Sequence, residues 1–270
     1  MEDPAYPTVW QAWNAHGARI VRVPVDRDGL VVAAGRRLAP RARLAYVTPA
    51  NQFPLGVTMS AERRMELLDW AASAGAWIVE DDYDAEYRYS GHPVASLQSV
   101  DRTGSVVYVG TFTKLLFNAL RLGFLVLPDR LVEPFVRARS LVDRHPPTLE
   151  QAILAEFISD GHFGRHVRRM RQIYSERIGT LKQAADRHLG GMLNVELAQG
   201  GMRTIGWLER HRSDGRAAER ARQHGLEVAA VSAFVTSHRQ KPGLVLGFAG
   251  VSPRELCRGV EVLAAALERA

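Results

Sequence analysis

Three short apolar runs, each ending in a polar cluster, constrain the fold of this chain most strongly. The runs cover residues 44–48, 77–79 and 105–110, and helical patterns lie between them. Strands that alternate with helices predict an α/β architecture with a mainly parallel sheet. A further strand is predicted at residues 18–24.

Local signals predict the helices and a second, smaller domain. Ser60 to Arg63 resembles a capping box that begins a helix through Ala74, and Gly75 ends it. Beyond Pro147, helices are predicted at residues 149–160 and 163–189, followed by short strands and further helices. We therefore expect a large domain over residues 1–165. Residues 166–270 are expected to form a long connecting helix and a small α+β C-terminal domain.

Composition excludes several classes of protein. No apolar run reaches the ~18 residues of a membrane-spanning helix. A single cysteine, Cys257, excludes an internal disulfide and makes the cytoplasm the default location. The net charge of +6 is dispersed, and its densest patch at residues 165–171 is typical of a solvated helix face. We expect no specific DNA binding by this chain alone, and no residue cluster has the spacing of metal ligands.

The polar clusters at residues 48–51, 80–83 and 110–114 can carry chemistry, because ligands bind beyond the carboxyl ends of strands in open α/β sheets. Lysine is rare in the chain, yet Lys114 directly follows a strand and a Thr-x-Thr sequence. A pyridoxal 5'-phosphate (PLP) site needs a lysine amine, a carboxylate at the pyridine nitrogen, a hydroxyl near the ring oxygen and phosphate-binding groups. The residues that can supply these groups are Asp81, Tyr83, Thr111, Thr113, Lys114 and Arg121. The alternative is that the strands simply end in polar turns.

The segments 48–60, 77–91, 108–128 and 143–171 resemble the aminotransferase-like domain of MocR-type regulators, in the GntR group of bacterial transcription factors. The resemblance covers nearly the whole chain. It implies the fold of a fold-type-I PLP-dependent transferase, PLP as cofactor, and a homodimer with its sites at the subunit interface.

The resemblance also implies a role for individual positions. Lys114 matches the lysine that condenses with the PLP aldehyde, Asp81 the partner of the pyridine nitrogen, and Tyr83 a group near the ring oxygen. Three further matches are Thr111 and Arg121 at the phosphate and Tyr6 stacked on the ring. Asn51 departs from the family, which usually has a histidine there, but an asparagine can still hydrogen-bond near the ring oxygen. Asp82 or Asp84 in place of Asp81, a surface role for Arg121 and ordinary packing for Tyr6 remain alternatives.

Two departures from the family bear on function. The chain begins at MEDPAYP, beyond the expected winged-helix domain and one phosphate-binding loop. We therefore expect a C-terminal piece, from a truncated gene product or a mis-started reading frame, with at least one strand fewer and weaker PLP binding. Val245 also occupies the expected place of the arginine that binds a substrate α-carboxylate, with Arg203 as a possible substitute.

The missing carboxylate-binding arginine favours a domain that senses an amino-acid or amine effector over an active aminotransferase, whereas the truncation favours a non-functional fragment. Turnover of an amino acid and a non-functional fragment remain the alternatives.

Overall fold

A computed structural model describes residues 1–90, 95–209 and 211–268 of the chain. The strands are β1 Glu2–Asp3, β2 Val23–Asp26, β3 Gly29–Leu30, β4 Leu44–Val47, β5 Trp77–Asp82, β6 Val106–Thr111, β7 Gly123–Val126, β8 Leu193–Val195, β9 Arg203–Leu208, β10 Ala229–Ala230 and β11 Gly243–Gly247. The helices are α1 Pro7–Ala15, α2 Val32–Leu38, α3 Ala61–Ala74, α4 Leu97–Val100, α5 Asp129–Val142, α6 Leu149–Ser159, α7 His162–His188, α8 Asp214–Gln223 and α9 Pro253–Glu268.

The sheet that positions the site has the order β4-β5-β6-β7. β4, β5 and β6 run parallel, and β7 returns antiparallel to β6. In the β5–β6 pair, Asp81 lies opposite Val109 and Asp82 opposite Gly110. The predicted α/β architecture with a mainly parallel sheet is therefore confirmed.

Helix α3 begins and ends where the sequence signals place it. The Ser60 hydroxyl accepts a hydrogen bond of 3.3 Å from the Arg63 backbone N–H, which is the N-cap interaction. Gly75 ends the helix with φ of +57°, a left-handed conformation that glycine adopts without a Cβ penalty. The face between these caps buries Leu67 and Ala71 in the core of the large sheet.

The second half of the chain forms an antiparallel sheet in the order β10-β11-β9-β8. Its core combines this sheet with side chains from α7, α8 and α9. Tyr174 of α7 packs edge-on against Tyr87, with ring centroids 4.9 Å apart, and so joins this core to the segment after β5. The predicted domain boundary at residues 165 and 166 falls within α7 and stays a prediction. No helix among the described residues is long and apolar enough to cross a membrane.

The strand predicted at residues 18–24 is wrong in its bounds, because β2 begins only at Val23. Two nonlocal contacts fix this register. The Met1 ammonium donates to the Val21 carbonyl at 2.9 Å, and the Val23 N–H donates to the Met1 carbonyl at 2.9 Å. β2 pairs with β1, which is only two residues long. Residues 18–22 therefore lack a paired strand among the described residues despite their apolar pattern.

The edge strand β7 leaves apolar side chains in solvent. All four of its residues are exposed, including Phe124, Leu125 and Val126. No residue of α5, which follows it, is buried. An exposed apolar edge strand favours pairing with another chain.

We predict that the 270-residue chain self-associates through β7. Leu125→Lys should raise the dissociation constant of the self-associated species roughly tenfold, because burying one leucine contributes about 1.5 kcal/mol or more. Sedimentation velocity over a concentration series measures this constant. Leu197→Lys is the matched control, because Leu197 is also exposed (59% against 47% for Leu125) and lies outside β7. Equal effects of the two substitutions would show that association does not use β7.

Candidate functional site

The candidate site lies at the carboxyl ends of β5 and β6. Asp81 occupies the penultimate position of β5, and Lys114 follows the end of β6 by three residues. Because β5 and β6 are adjacent and parallel, the two strand ends share one edge of the sheet. The Lys114 side chain is exposed and forms no hydrogen bond or ion pair with any other described residue. It is therefore available to react with a ligand.

Hydrogen bonds to backbone groups hold the loop that carries Lys114 in place. The Thr113 N–H donates to the Thr111 hydroxyl at 3.1 Å. The carbonyl of the buried Leu115 accepts hydrogen bonds from the Tyr87 hydroxyl and from His166 Nε2, each at 2.9 Å. These bonds fix the backbone next to the lysine and leave its amine free. No local sequence pattern indicates this role for Tyr87 or His166, because the role depends on a contact with a distant loop.

Asp81 is held by a tyrosine whose role no local sequence pattern indicates. The Tyr46 hydroxyl of β4 donates a hydrogen bond to Asp81 Oδ2. Its ring packs edge-on against Trp13, with centroids 5.5 Å apart. Burial raises the pKa of the Asp81 carboxyl, the Tyr46 hydrogen bond lowers it, and the neighbouring Asp82 raises it. Asp81 Oδ1 accepts no hydrogen bond from the described residues, so it can accept one from a ligand.

The two alternative acids are engaged by the protein itself. Asp82 accepts from the Tyr108 hydroxyl at 2.8 Å and from the Ala85 N–H at 3.2 Å. Asp84 is buried, and its two oxygens accept from Asn51 Nδ2 at 3.0 and 2.9 Å. The geometry therefore favours Asp81 as the carboxylate that is open to a ligand.

Aromatic side chains form one side of the site. The Tyr83 hydroxyl donates to the Asn51 carbonyl at 2.7 Å, and the Asn51 amide is occupied by Asp84. Tyr6 is 47% exposed and packs edge-on against Phe53 at 5.2 Å. The Arg203 guanidinium, from β9 of the second sheet, lies 4.5 Å from the Phe53 ring centroid and 5.3 Å from that of Tyr83.

The predicted phosphate-binding residues lie on the segment that connects β6 to β7. Thr111 ends β6 and Thr113 follows it in the lysine loop. Arg121 is exposed and adopts a left-handed conformation with φ of +50° just before β7 begins. The structure thus places all three residues on the segment that contains Lys114.

Burial of Asp84 makes this part of the site sensitive to pH. Burial raises the pKa of its carboxyl to about 7, although the Asn51 hydrogen bond and the Arg203 charge act against the rise. A carboxyl whose pKa is raised on folding contributes stability below its unfolded pKa, and this contribution is lost as the pH rises through the folded value.

We predict that the substitution Asp84→Asn stabilises the chain more at pH 8 than at pH 5. The free energy of unfolding of the variant minus that of wild type should increase by roughly 2 kcal/mol between these pH values, because the amide cannot ionise. Urea unfolding at both pH values measures the difference. Asp69→Asn, at an exposed position on α3, should leave the pH dependence unchanged. A parallel pH dependence in Asp84→Asn and wild type would contradict the prediction.

Comparison with known proteins identifies the family to which this arrangement belongs. The family model for aminotransferase class I and II matches residues 1–263. The chain is 39% identical over 266 residues to a probable rhizopine catabolism regulatory protein, MocR, of Rhizobium meliloti. It is 36% identical over 265 residues to an uncharacterized HTH-type transcriptional regulator, YdeL, of Bacillus subtilis. Both alignments cover 98% of this chain but only 54% and 57% of the regulators, so the chain spans about half the length of these relatives.

Solved structures of aminotransferases share the fold. A kynurenine aminotransferase of Pyrococcus horikoshii matches with a TM-score of 0.90 at 26% identity, over 99% of this chain and 68% of that one. The α-aminoadipate aminotransferase LysN of Thermus thermophilus matches with a TM-score of 0.89 at 27% identity, over 99% of this chain and 70% of that one.

These matches confirm the predicted fold-type-I architecture, the predicted PLP cofactor and the resemblance to the aminotransferase-like domain of MocR-type regulators. They do not test the roles of individual residues. The chain belongs to the aminotransferase class I and II family.

Proposed function

We propose that this chain is the PLP-binding, effector-sensing domain of a MocR-type transcriptional regulator. One observation carries the proposal: an open carboxylate, Asp81, and a free amine, Lys114, lie at the ends of neighbouring parallel strands. The similarity to proteins described as a regulatory protein and as a transcriptional regulator supports a role in regulation.

The donor set at the strand ends fits the chemical groups of PLP. When bound, PLP supplies an aldehyde that condenses with primary amines and a pyridine ring that acts as an electron sink. Lys114 provides the only amine in the described part of the site. Asp81 Oδ1 would accept the pyridinium N–H, while the Tyr46 hydroxyl holds Oδ2 and fixes the carboxylate plane. An ionised Asp81 would keep the ring nitrogen protonated.

The remaining predicted residues complete the proposed site. The hydroxyls of Thr111 and Thr113 and the Arg121 guanidinium would bind the phosphate, because charge-assisted hydrogen bonds favour that anion. Tyr6 would cover one face of the ring. The Tyr83 hydroxyl, which donates its one hydrogen to the Asn51 carbonyl, would donate to the ring oxygen by turning from that carbonyl. Asn51 would lie behind Tyr83, because its amide is engaged by Asp84 and its carbonyl accepts from the Tyr83 hydroxyl.

The signal that such a domain reads is an amine or an amino acid. With PLP bound, a primary amine would compete with Lys114 for the aldehyde of the cofactor, and its binding would leave the lysine side chain free. We propose that this exchange, in a cytoplasmic homodimer, is the sensing event. The alternative is an active aminotransferase, which is favoured by the similarity to the solved aminotransferases. Release of a keto acid from an added amino acid, at one equivalent or more per chain, would support that alternative.

We predict that Lys114→Ala abolishes the covalent attachment of PLP. Borohydride reduction followed by peptide mass mapping should find the cofactor on Lys114 in wild type and on no lysine in the variant. Lys182→Ala is the control, because Lys182 lies on α7 and forms an ion pair with Asp186. A specific adduct on another lysine of the Lys114→Ala chain would overturn the proposed site.

We also predict that Asp81→Asn weakens PLP binding more than Asp82→Asn does. Loss of a hydrogen bond between charged partners costs ~1.5–3 kcal/mol, or roughly a ten- to hundredfold increase in the dissociation constant. Asp82 already accepts two hydrogen bonds from the protein, so its substitution should affect packing rather than the cofactor. Absorbance titration with PLP compares the two variants. Equal dissociation constants would remove the basis for assigning Asp81.

A further inference from the structure

Residues 112–116, here called the Lys114 loop, form a single closed turn around the candidate lysine. The Leu116 N–H donates to the Phe112 carbonyl at 2.9 Å, which is a hydrogen bond between residues four apart. Lys114 occupies the middle of this turn. The position of its backbone is therefore set by the contacts that hold the turn, while its side chain stays exposed.

Helix α7 contacts the Lys114 loop at both of its ends. The Phe112 ring packs edge-on against the Phe163 ring of α7, with centroids 5.8 Å apart. The Leu115 carbonyl accepts a hydrogen bond of 2.9 Å from His166 Nε2 of the same helix. The Leu115 side chain is buried in one core with Tyr174, which also lies on α7. The lysine is thus held by the helix that leads into the second half of the chain.

Two donors from different parts of the chain share the Leu115 carbonyl. His166 donates from α7, and the Tyr87 hydroxyl donates from the segment after β5, also at 2.9 Å. A carbonyl oxygen has two lone pairs, so both are used. Because loss of a donor to a buried carbonyl is unfavourable, each bond restrains the Lys114 loop. The His166 bond is the one that attaches this carbonyl directly to α7.

The polar contact is the main contribution of His166. Its ring is only half-buried, so it adds little to the apolar core. A carbonyl oxygen can only accept, so His166 Nε2 carries the hydrogen of this bond. A glutamine side chain also ends in an N–H donor and can take its place.

We propose that His166 is a positioning residue that couples Lys114 to helix α7. The inference rests on the proposed function, in which the state of Lys114 is the signal. Attachment of a ligand to the lysine would restrict the Lys114 loop, and the bond between Leu115 and His166 would pass this restriction to the first turns of α7. Coupling of this kind needs no large change of shape, and it is measurable as slower amide hydrogen exchange.

Hydrogen exchange of the full chain, followed by mass spectrometry with and without saturating PLP, tests the coupling. In the PLP-free chain, His166→Leu should speed exchange in residues 112–116 roughly tenfold, because the buried carbonyl loses one donor. In wild type, PLP should slow exchange in residues 112–116 and also in residues 162–170 of α7. In His166→Leu, PLP should slow exchange in residues 112–116 alone.

Two further variants separate positioning from a general structural role. His166→Gln should restore the response of α7 to PLP to within about threefold of wild type, because its amide supplies the missing donor. Tyr87→Phe removes the other donor to the same carbonyl and retains the ring. It should speed exchange in the Lys114 loop and keep the response of α7. If His166→Leu fails to fold, His166→Asn replaces it, because its shorter amide lacks the reach of Nε2.

The outcomes distinguish this inference from the function on which it rests. A response of α7 to PLP that persists in His166→Leu would overturn the coupling. So would a wild-type α7 that does not respond although borohydride reduction shows PLP on Lys114. Absence of PLP from Lys114 in wild type would instead overturn the proposed function, and the coupling with it.

Discussion

The large sheet and its site depend on the hydrogen bonds and the ion pair of the buried Glu80 carboxylate. It is only 1% exposed and accepts the backbone N–H groups of Leu97 and Gln98 at 2.8 and 2.9 Å, which begin α4. The buried Arg64 guanidinium of α3 lies 4.0 Å away. Arg64 in turn donates to three backbone carbonyls, those of Met59, Ala95 and Pro49. Two buried charges thus connect β5 to both helices and to the loop after β4.

Side chains alternate between the two faces of β5, so the bonds that fix Glu80 also fix the position of Asp81. Successive residues of a strand point to opposite faces. Glu80 points into the helical layer, and Asp81 points to the other face, where the Tyr46 hydroxyl holds it. A strand fixed by Glu80 therefore presents Asp81 in a defined place. The adjacent β6 presents the Lys114 loop at the same edge of the sheet.

Features with local sequence signals were predictable. The cap at Ser60, the left-handed Gly75 and the apolar face between them define α3 without any tertiary information. Asp81 and Lys114 could be proposed as site residues because each lies near the carboxyl end of an apolar strand. In a parallel sheet, the ends of adjacent strands necessarily meet.

Features that depend on distant partners were not predictable from the same signals. β2 begins at Val23 rather than Ala18 because its partner is the two-residue β1. The sequence pattern indicates only that Tyr46 lies in a strand. The β4–β5 register brings its hydroxyl to Asp81. The sequence suggested Arg203 as a substitute for an arginine at position 245. Its aromatic neighbours are visible only in three dimensions.

A crystal structure of the chain grown with saturating PLP tests the central claim most directly. We expect continuous electron density from the Lys114 side chain to the former aldehyde carbon. We also expect the pyridine nitrogen within ~3 Å of an Asp81 oxygen, the distance of a hydrogen bond. Density that joins the cofactor to another lysine, or a ring nitrogen placed at Asp82 or Asp84, would contradict it.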